Sequence, residues 1–217
     1  TRAGLDDVCD TFILSDTQEP EAAAAEERAF AEPVAAGRTF YRRRTPNTGR
    51  KPGNIAHWLT SHGADYETML VLDADSRLRA DRLRDLLYRM ENRPELGLIQ
   101  SGMRLIPGNS RFNRMQRMSA RLCGPGFIRG MAAWTGSAGN FWGHNALVRT
   151  RAMAAAGGLP RLPGTPPFGG PVLSHDFIEA AWLRRAGWSV EIDPVTQGSF
   201  EEAPETLQEF HRRDRRW

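Results

Sequence analysis

Apolar and polar positions fall along this chain in blocks that predict strands and helices in turn. Thr11-Phe12-Ile13-Leu14 predicts a short strand ending at Ser15-Asp16, and the Glu/Ala-rich segment from Glu19 to Glu32 a helix. Phe40 to Arg44 predicts a second strand, followed by a Pro/Asn/Gly turn and a helix from about Asn54 to His62. Met69-Leu70-Val71-Leu72 predicts a strand that stops at Asp73-Ala74-Asp75-Ser76, with a helix from about Ala80 to Glu91 and a strand at Leu98-Ile99-Gln100 beyond it. This repeated order predicts an α/β fold: a Rossmann-like, mostly parallel sheet flanked by helices, whose strand ends form a ligand crevice.

The second half is less regular. Phe112, Met115, Met118 and Leu122 recur at helical spacing, with Arg111, Arg114, Arg117 and Arg121 mostly on other faces, so a basic amphipathic helix is expected. Such a helix suits a solvated face or an anionic membrane surface. Trp142 to Arg149 predicts a strand, and a Pro/Gly-dense loop from Leu159 to Pro171 precedes Ser174-His175-Asp176-Phe177.

Composition changes this picture only in places. With 217 residues, 40% of them hydrophobic, and a net charge of +3, the chain is long enough to bury one sizeable core, and a single domain over residues 1–217 is expected. No apolar stretch is long enough to span a bilayer, and Thr1-Arg2-Ala3-Gly4 opens on nothing like a signal peptide, so the sequence reads as a soluble piece. Cys9 and Cys123 have no metal-type spacing, which argues against a zinc site or a disulfide framework. Lys51 is the only lysine among 29 basic Lys and Arg residues. Its place before Pro52-Gly53-Asn54, in a turn at a helix start, suits a diphosphate or sugar contact.

The candidate chemistry begins at the Asp73/Asp75 pair. Residues i and i+2 of an extended strand share a side, so both carboxylates are expected to converge where the strand leaves its sheet. Two hard oxygen ligands suit Mg²⁺ or Mn²⁺ carrying a phosphorylated substrate. A solvated turn or a helix N-cap would use the same residues. Asp176, opening a helix after the Pro/Gly loop, is placed either to cap that helix or to act as a general base. His144 and His175 read as hydrogen-bonded residues, His175 orienting its neighbour.

Together Ser15-Asp16, Arg50-Lys51-Pro52-Gly53-Asn54-Ile55, Val71 to Ser76, Gly143-His144-Asn145-Ala146, Leu173-Ser174-His175-Asp176-Phe177 and Arg212 to Trp217 resemble the processive family 2 glycosyltransferases. The likeness is to the branch that builds osmoregulated periplasmic glucans. It implies a GT-A fold, UDP-glucose as donor, a growing β-1,2-linked glucan as acceptor and product, and inversion at the anomeric carbon. Carried over by position, Asp16 would contact uridine, Asp73 and Asp75 would hold the metal and diphosphate, and Asp176 would be the base. Arg213, Arg216, Trp217 and His144 would lie at the acceptor, with Arg213 standing where glutamine is usual in the family's terminal motif. The resemblance also implies a truncated catalytic domain, lacking the strand before Asp16 and the flanking membrane helices. The full-length protein would then work at the cytoplasmic face of the bacterial inner membrane, with no nucleic-acid partner. A non-catalytic nucleotide-sugar-binding module is the alternative. A haloacid-dehalogenase-type phosphatase, which Leu72 to Ser76 also resembles, is disfavoured because the lysine that class needs would follow the motif.

Overall fold

The computed structural model describes residues 5, 8–156, 158–159, 162–165, 169–170, 172 and 174–215. Contacts divide the chain into two compact units, Thr1–Ala64 and Asp65–Trp217.

In the first unit, β1 (Thr11–Ser15) is followed by α1 (Pro20–Ala35), β2 (Thr39–Arg43) and α2 (Arg50–His62). The strands pair in parallel, Thr11 opposite Thr39 and Ser15 opposite Arg43. Parallel neighbours need a crossover, and α1 supplies it. Phe12 of β1 stacks on Phe40 of β2 at 4.9 Å between ring centroids and meets the edge of Trp58 of α2 at 5.4 Å. Glu26 of α1 accepts hydrogen bonds from Ser15, Thr17 and Tyr41, the first two above all holding its carboxyl below the usual range. A polar clasp and an aromatic stack thus fasten each helix to the strand pair.

The second unit runs β3 (Thr68–Val71), β4 (Arg77–Leu78), α3 (Ala80–Glu91), β5 (Leu96–Ser101), β6 (Arg104–Leu105), α4 (Arg111–Thr135), β7 (Ala146–Arg149), α5 (Thr150–Ala156), α6 (His175–Arg185), β8 (Ser189–Asp193), β9 (Ser199–Glu201) and α7 (Leu207–Asp214). Its larger sheet has the order β3-β7-β5-β8 and its smaller one β4-β9-β6. The expected mostly parallel sheet is corrected here to a mixed one. β7 lies antiparallel to both β3 and β5, while β8 is parallel to β5, so one reversed strand is inserted among three that share a direction. An apolar run buries equally well in either direction, so periodicity carries no sign of the reversal.

Leu83, Leu86, Leu87 and Met90 of α3 fall at helical spacing, and Leu86 and Met90 pack with Leu96, Ile99 and Leu147 in the core beneath the sheet. That strict period explains why α3 has the ends expected for it. Arg82, on the same helix, is buried and binds Ser101 and Asp193 and the Val195 carbonyl (3.0 Å), tying α3 to the ends of β5 and β8. The amphipathic helix α4 extends to 25 residues. Its inner side is fixed by Asn113, donating to the Ala203 carbonyl (3.1 Å), and Gln116, donating to the Pro204 carbonyl (2.9 Å). Met115, Met118 and Leu122 are exposed. Among the described residues, no helix is long and apolar enough to cross a membrane.

Candidate functional site

The Asp73/Asp75 pair does not lie in an extended strand. β3 ends at Val71, and the next residues close a tight turn in which the Ser76 amide donates to the Asp73 carbonyl at 3.0 Å. Strand alternation therefore does not align the two carboxylates, and the turn sets their direction instead. The turn is anchored on its far side because β4 pairs antiparallel with β9, Arg77 opposite Phe200 and Leu78 opposite Ser199. Asp73 is partly buried and Asp75 exposed.

The β4–β9 pairing brings in a carboxylate absent from the expected set, Glu201. Its oxygen lies 3.5 Å from His144 Nε2. Burial pushes the Glu201 carboxyl up, His144 and Arg213 pull it down, and the Asp75 and Asp73 carboxylates push it up again. Asp73, Asp75, His144, Glu201 and Arg213 thus share one electrostatic neighbourhood. Its sequence context, two adjacent glutamates shortly after Gly198, contains no signal that separates Glu201 from Glu202.

His144 is not in the strand expected for it but in the loop Trp142–Asn145 that leads into β7. Fully buried Gln100 of β5 fixes that loop, accepting from the Trp142 amide (2.8 Å) and donating to the His144 carbonyl (3.0 Å). Asn145 takes the left-handed conformation at φ +49°, which asparagine tolerates better than most residues. Its side-chain nitrogen donates to Ser199 Oγ (2.9 Å) and the Phe200 carbonyl (3.2 Å), turning Oδ1 toward His144 Nδ1 at 3.1 Å. An amide oxygen only accepts, so Nδ1 carries the ring proton, and Ser76 Oγ lies within reach of it at 3.2 Å. Nε2, on the other edge of the ring, lies 3.5 Å from the Glu201 carboxyl.

The same loop passes beside Asp176. Gly143 has φ +86°, and a Cβ placed there would come 3.3 Å from Asp176 Oδ2. Asp176 sits in the first turn of α6 with 2% of its surface exposed. Burial is the main influence and pushes its carboxyl up, against the pull of His175 and of the Phe177 amide, which donates to Oδ1 at 3.2 Å. His175 is occupied with Glu179 at 3.0 Å. A buried carboxyl of raised proton affinity at a helix start has the properties of a general base. Part of the preceding Pro/Gly loop, residues 160–161, 166–168 and 171, lies outside the described residues.

The other donor candidates belong to the first unit. Asp16, just past β1, receives both arms of Arg44, Nε to Oδ1 at 2.9 Å and Nη2 to Oδ2 at 3.0 Å. Arg44 also donates to the Thr48 and Arg50 carbonyls, each at 3.1 Å, and so shapes the turn that leads into α2. Lys51 is the second residue of that helix. Gly53 is required two residues on, because a Cβ there would come 2.1 Å from the Thr48 carbonyl oxygen. Arg213 lies on α7, whose start is fixed by a capping box between Thr206 and Glu209. Arg216 and Trp217 lie outside the described residues.

Among the described residues, no group of three or more His, Cys, Asp or Glu side chains could hold a metal ion on its own. The donors at the Asp73 turn are all oxygens, and a carboxylate pair that leaves coordination positions to phosphate and water fits Mg²⁺ or Mn²⁺.

Residues 68–217 match the family model described as glycosyl transferase family group 2. The chain is 50% identical over 212 residues to a protein of Xylella fastidiosa (strain 9a5c) named glucans biosynthesis glucosyltransferase H, covering 96% of this chain and 33% of that one. A protein of the same name from Bradyrhizobium diazoefficiens is 46% identical over 217 residues, covering 99% of this chain and 29% of that one. One from Vibrio cholerae (serotype O1, strain ATCC 39541) is 49% identical over 212 residues, again covering 29% of the relative. The chain spans about a third of the length of these relatives.

Proposed function

Because the chain belongs to glycosyl transferase family group 2, we propose that it is the catalytic part of an inverting glucosyltransferase that uses UDP-glucose to extend a β-1,2-linked glucan. The carrying observation is the loop Trp142–Asn145, which meets the buried Asp176 through Gly143 and the Asp73–Ser76 turn through His144. A base and a diphosphate site belong on opposite sides of one anomeric carbon, and this loop adjoins both groups. The names of the similar proteins support a glucan product, and the family supports a GT-A fold.

In this reading an acceptor hydroxyl gives its proton to Asp176 as its oxygen attacks the anomeric carbon. The bond from that carbon to the diphosphate oxygen breaks, and UDP leaves with inverted stereochemistry in the product. Asp73 and Asp75 would hold Mg²⁺ or Mn²⁺, which when bound supplies positive charge to the departing diphosphate. Asp16 and Lys51 are the proposed uridine and diphosphate contacts, and Arg213, Arg216 and Trp217 the acceptor contacts. The cytoplasmic face of the inner membrane is the proposed place of reaction, since a nucleotide sugar is a cytoplasmic donor.

Asp176→Asn tests the assignment. It should leave Mn²⁺-dependent UDP affinity intact by calorimetry while glucan synthesis falls by at least roughly 10²-fold, the usual loss on removing a general base. Near-normal synthesis would move the base elsewhere, and donor binding without transfer in the unaltered protein would favour a sugar-nucleotide-binding module.

A further inference from the structure

The pair His144 and Glu201 is more firmly held than an acceptor-binding histidine needs to be. Two anchors hold this histidine: the Gln100 bond to its backbone carbonyl, and the Asn145 oxygen at Nδ1, the Asn145 side chain being itself locked to Ser199 and Phe200. With 16% of its side chain exposed, the ring offers little surface to a ligand. Its two nitrogens instead face Ser76, at the end of the aspartate turn, and Glu201, on the strand that pairs with the residues just after that turn.

We propose that His144 and Glu201 are positioning residues for the Asp73–Asp75 turn, a strut that fixes the direction of the two carboxylates toward a metal-bound diphosphate. This rests on the reading of that turn as the diphosphate end of the site. Within the turn the Ser76 amide donates to the Asp73 carbonyl, and contacts from outside add to that bond in setting its tilt against the larger sheet. β4 holds only its exit, through two residues. The histidine supplies a restraint at Ser76 Oγ, and Glu201 holds the histidine from the far ring edge. Outer-shell partners of this kind orient the groups that ligate an ion without touching it.

Calorimetry of UDP with Mn²⁺ on the 217-residue chain tests the strut. His144→Ala and Glu201→Ala should each weaken Mn²⁺-dependent UDP affinity by roughly 10- to 100-fold, the usual cost of losing an outer-shell partner. The double variant should fall little further, because both changes break one strut. Glu201→Gln, which keeps an acceptor oxygen beside the ring, should recover most of the affinity; a merely structural role would not give this pattern at unchanged melting temperature. If the alanine variants unfold, Ser76→Ala removes the same contact at a partly exposed side chain and should weaken binding in the same direction. Asp75→Asn separates the two ideas. Unaltered affinity in Asp75→Asn overturns the diphosphate reading of the turn, whereas loss in Asp75→Asn with unaltered affinity in the His144, Glu201 and Ser76 variants overturns the strut alone.

Discussion

Asp16, just past a strand of the first unit, and Asp176, at a helix start in the second, are both candidate site carboxylates, yet they are kept in opposite ways. Asp16 lies in a two-armed grip from Arg44, 28 residues away, which satisfies a charged carboxylate. Asp176 is buried at a helix start, and among the described residues its hydrogen bond is to the Phe177 amide, with no guanidinium on it. A carboxylate oriented by a fixed guanidinium is suited to accept hydrogen bonds from a ligand. One whose burial raises its proton affinity is suited to take a proton, so the two positions fit binding and chemistry respectively.

The sharpest way to probe the Asp176 side is Gly143→Ala. The added methyl meets Asp176 Oδ2 and forces an alanine into φ +86°, so transfer should fall by roughly 10²-fold if placement of the base governs the rate. Mn²⁺-dependent UDP affinity should stay within about threefold, and a parallel loss of affinity would show that the loop does not separate the two ends of the site.

On the Asp16 side, Arg44→Ala strips the carboxylate of this partner and removes one donor from each of the Thr48 and Arg50 carbonyls. Denaturant unfolding should show a loss of about 2 kcal/mol, chiefly from the partly buried two-armed contact with Asp16. A loss below about 0.5 kcal/mol would place Arg44 among ordinary surface charges.

The smallest effect separates the two environments by pH. Because the folded Asp176 carboxyl titrates above its ordinary value, the native state binds more protons than the unfolded chain just above that value. Its contribution to stability therefore falls as pH rises and levels off above the folded pKa. Asp176→Asn should melt a few degrees higher than the unaltered protein at pH 8, with the gap narrowing toward acid. A variant that melts lower at pH 8 would mean that the charged carboxylate is favoured in the fold.

What could be read from the sequence follows how local its causes are. α3 had its ends predicted because Leu83, Leu86, Leu87 and Met90 repeat with the helix, and β1 and β2 because their apolar runs are bounded by polar turns. Asp176 stood out by its place between a Pro/Gly loop and a helix. The reversed direction of β7 was illegible, since burial has no polarity along the chain. The Asp73–Asp75 turn was misjudged as strand because the apolar run continues through Leu72, which is in fact exposed. Glu201 could not be found at all. Its link to the aspartates comes from the pairing of Arg77 with Phe200, residues with more than half the chain between them, and from His144 on a third segment.

The outward methionines of α4 also matter to the chemist at the bench. Met115 and Met118 have 60% and 66% of their surfaces open, while Met90 and Met153 are 1% and 5% exposed. Thioether oxidation follows access, so peroxide should reach the first pair and spare the second while the protein stays folded. The order in which sulfoxides accumulate, followed by mass, therefore reports whether a stored sample still has its core closed.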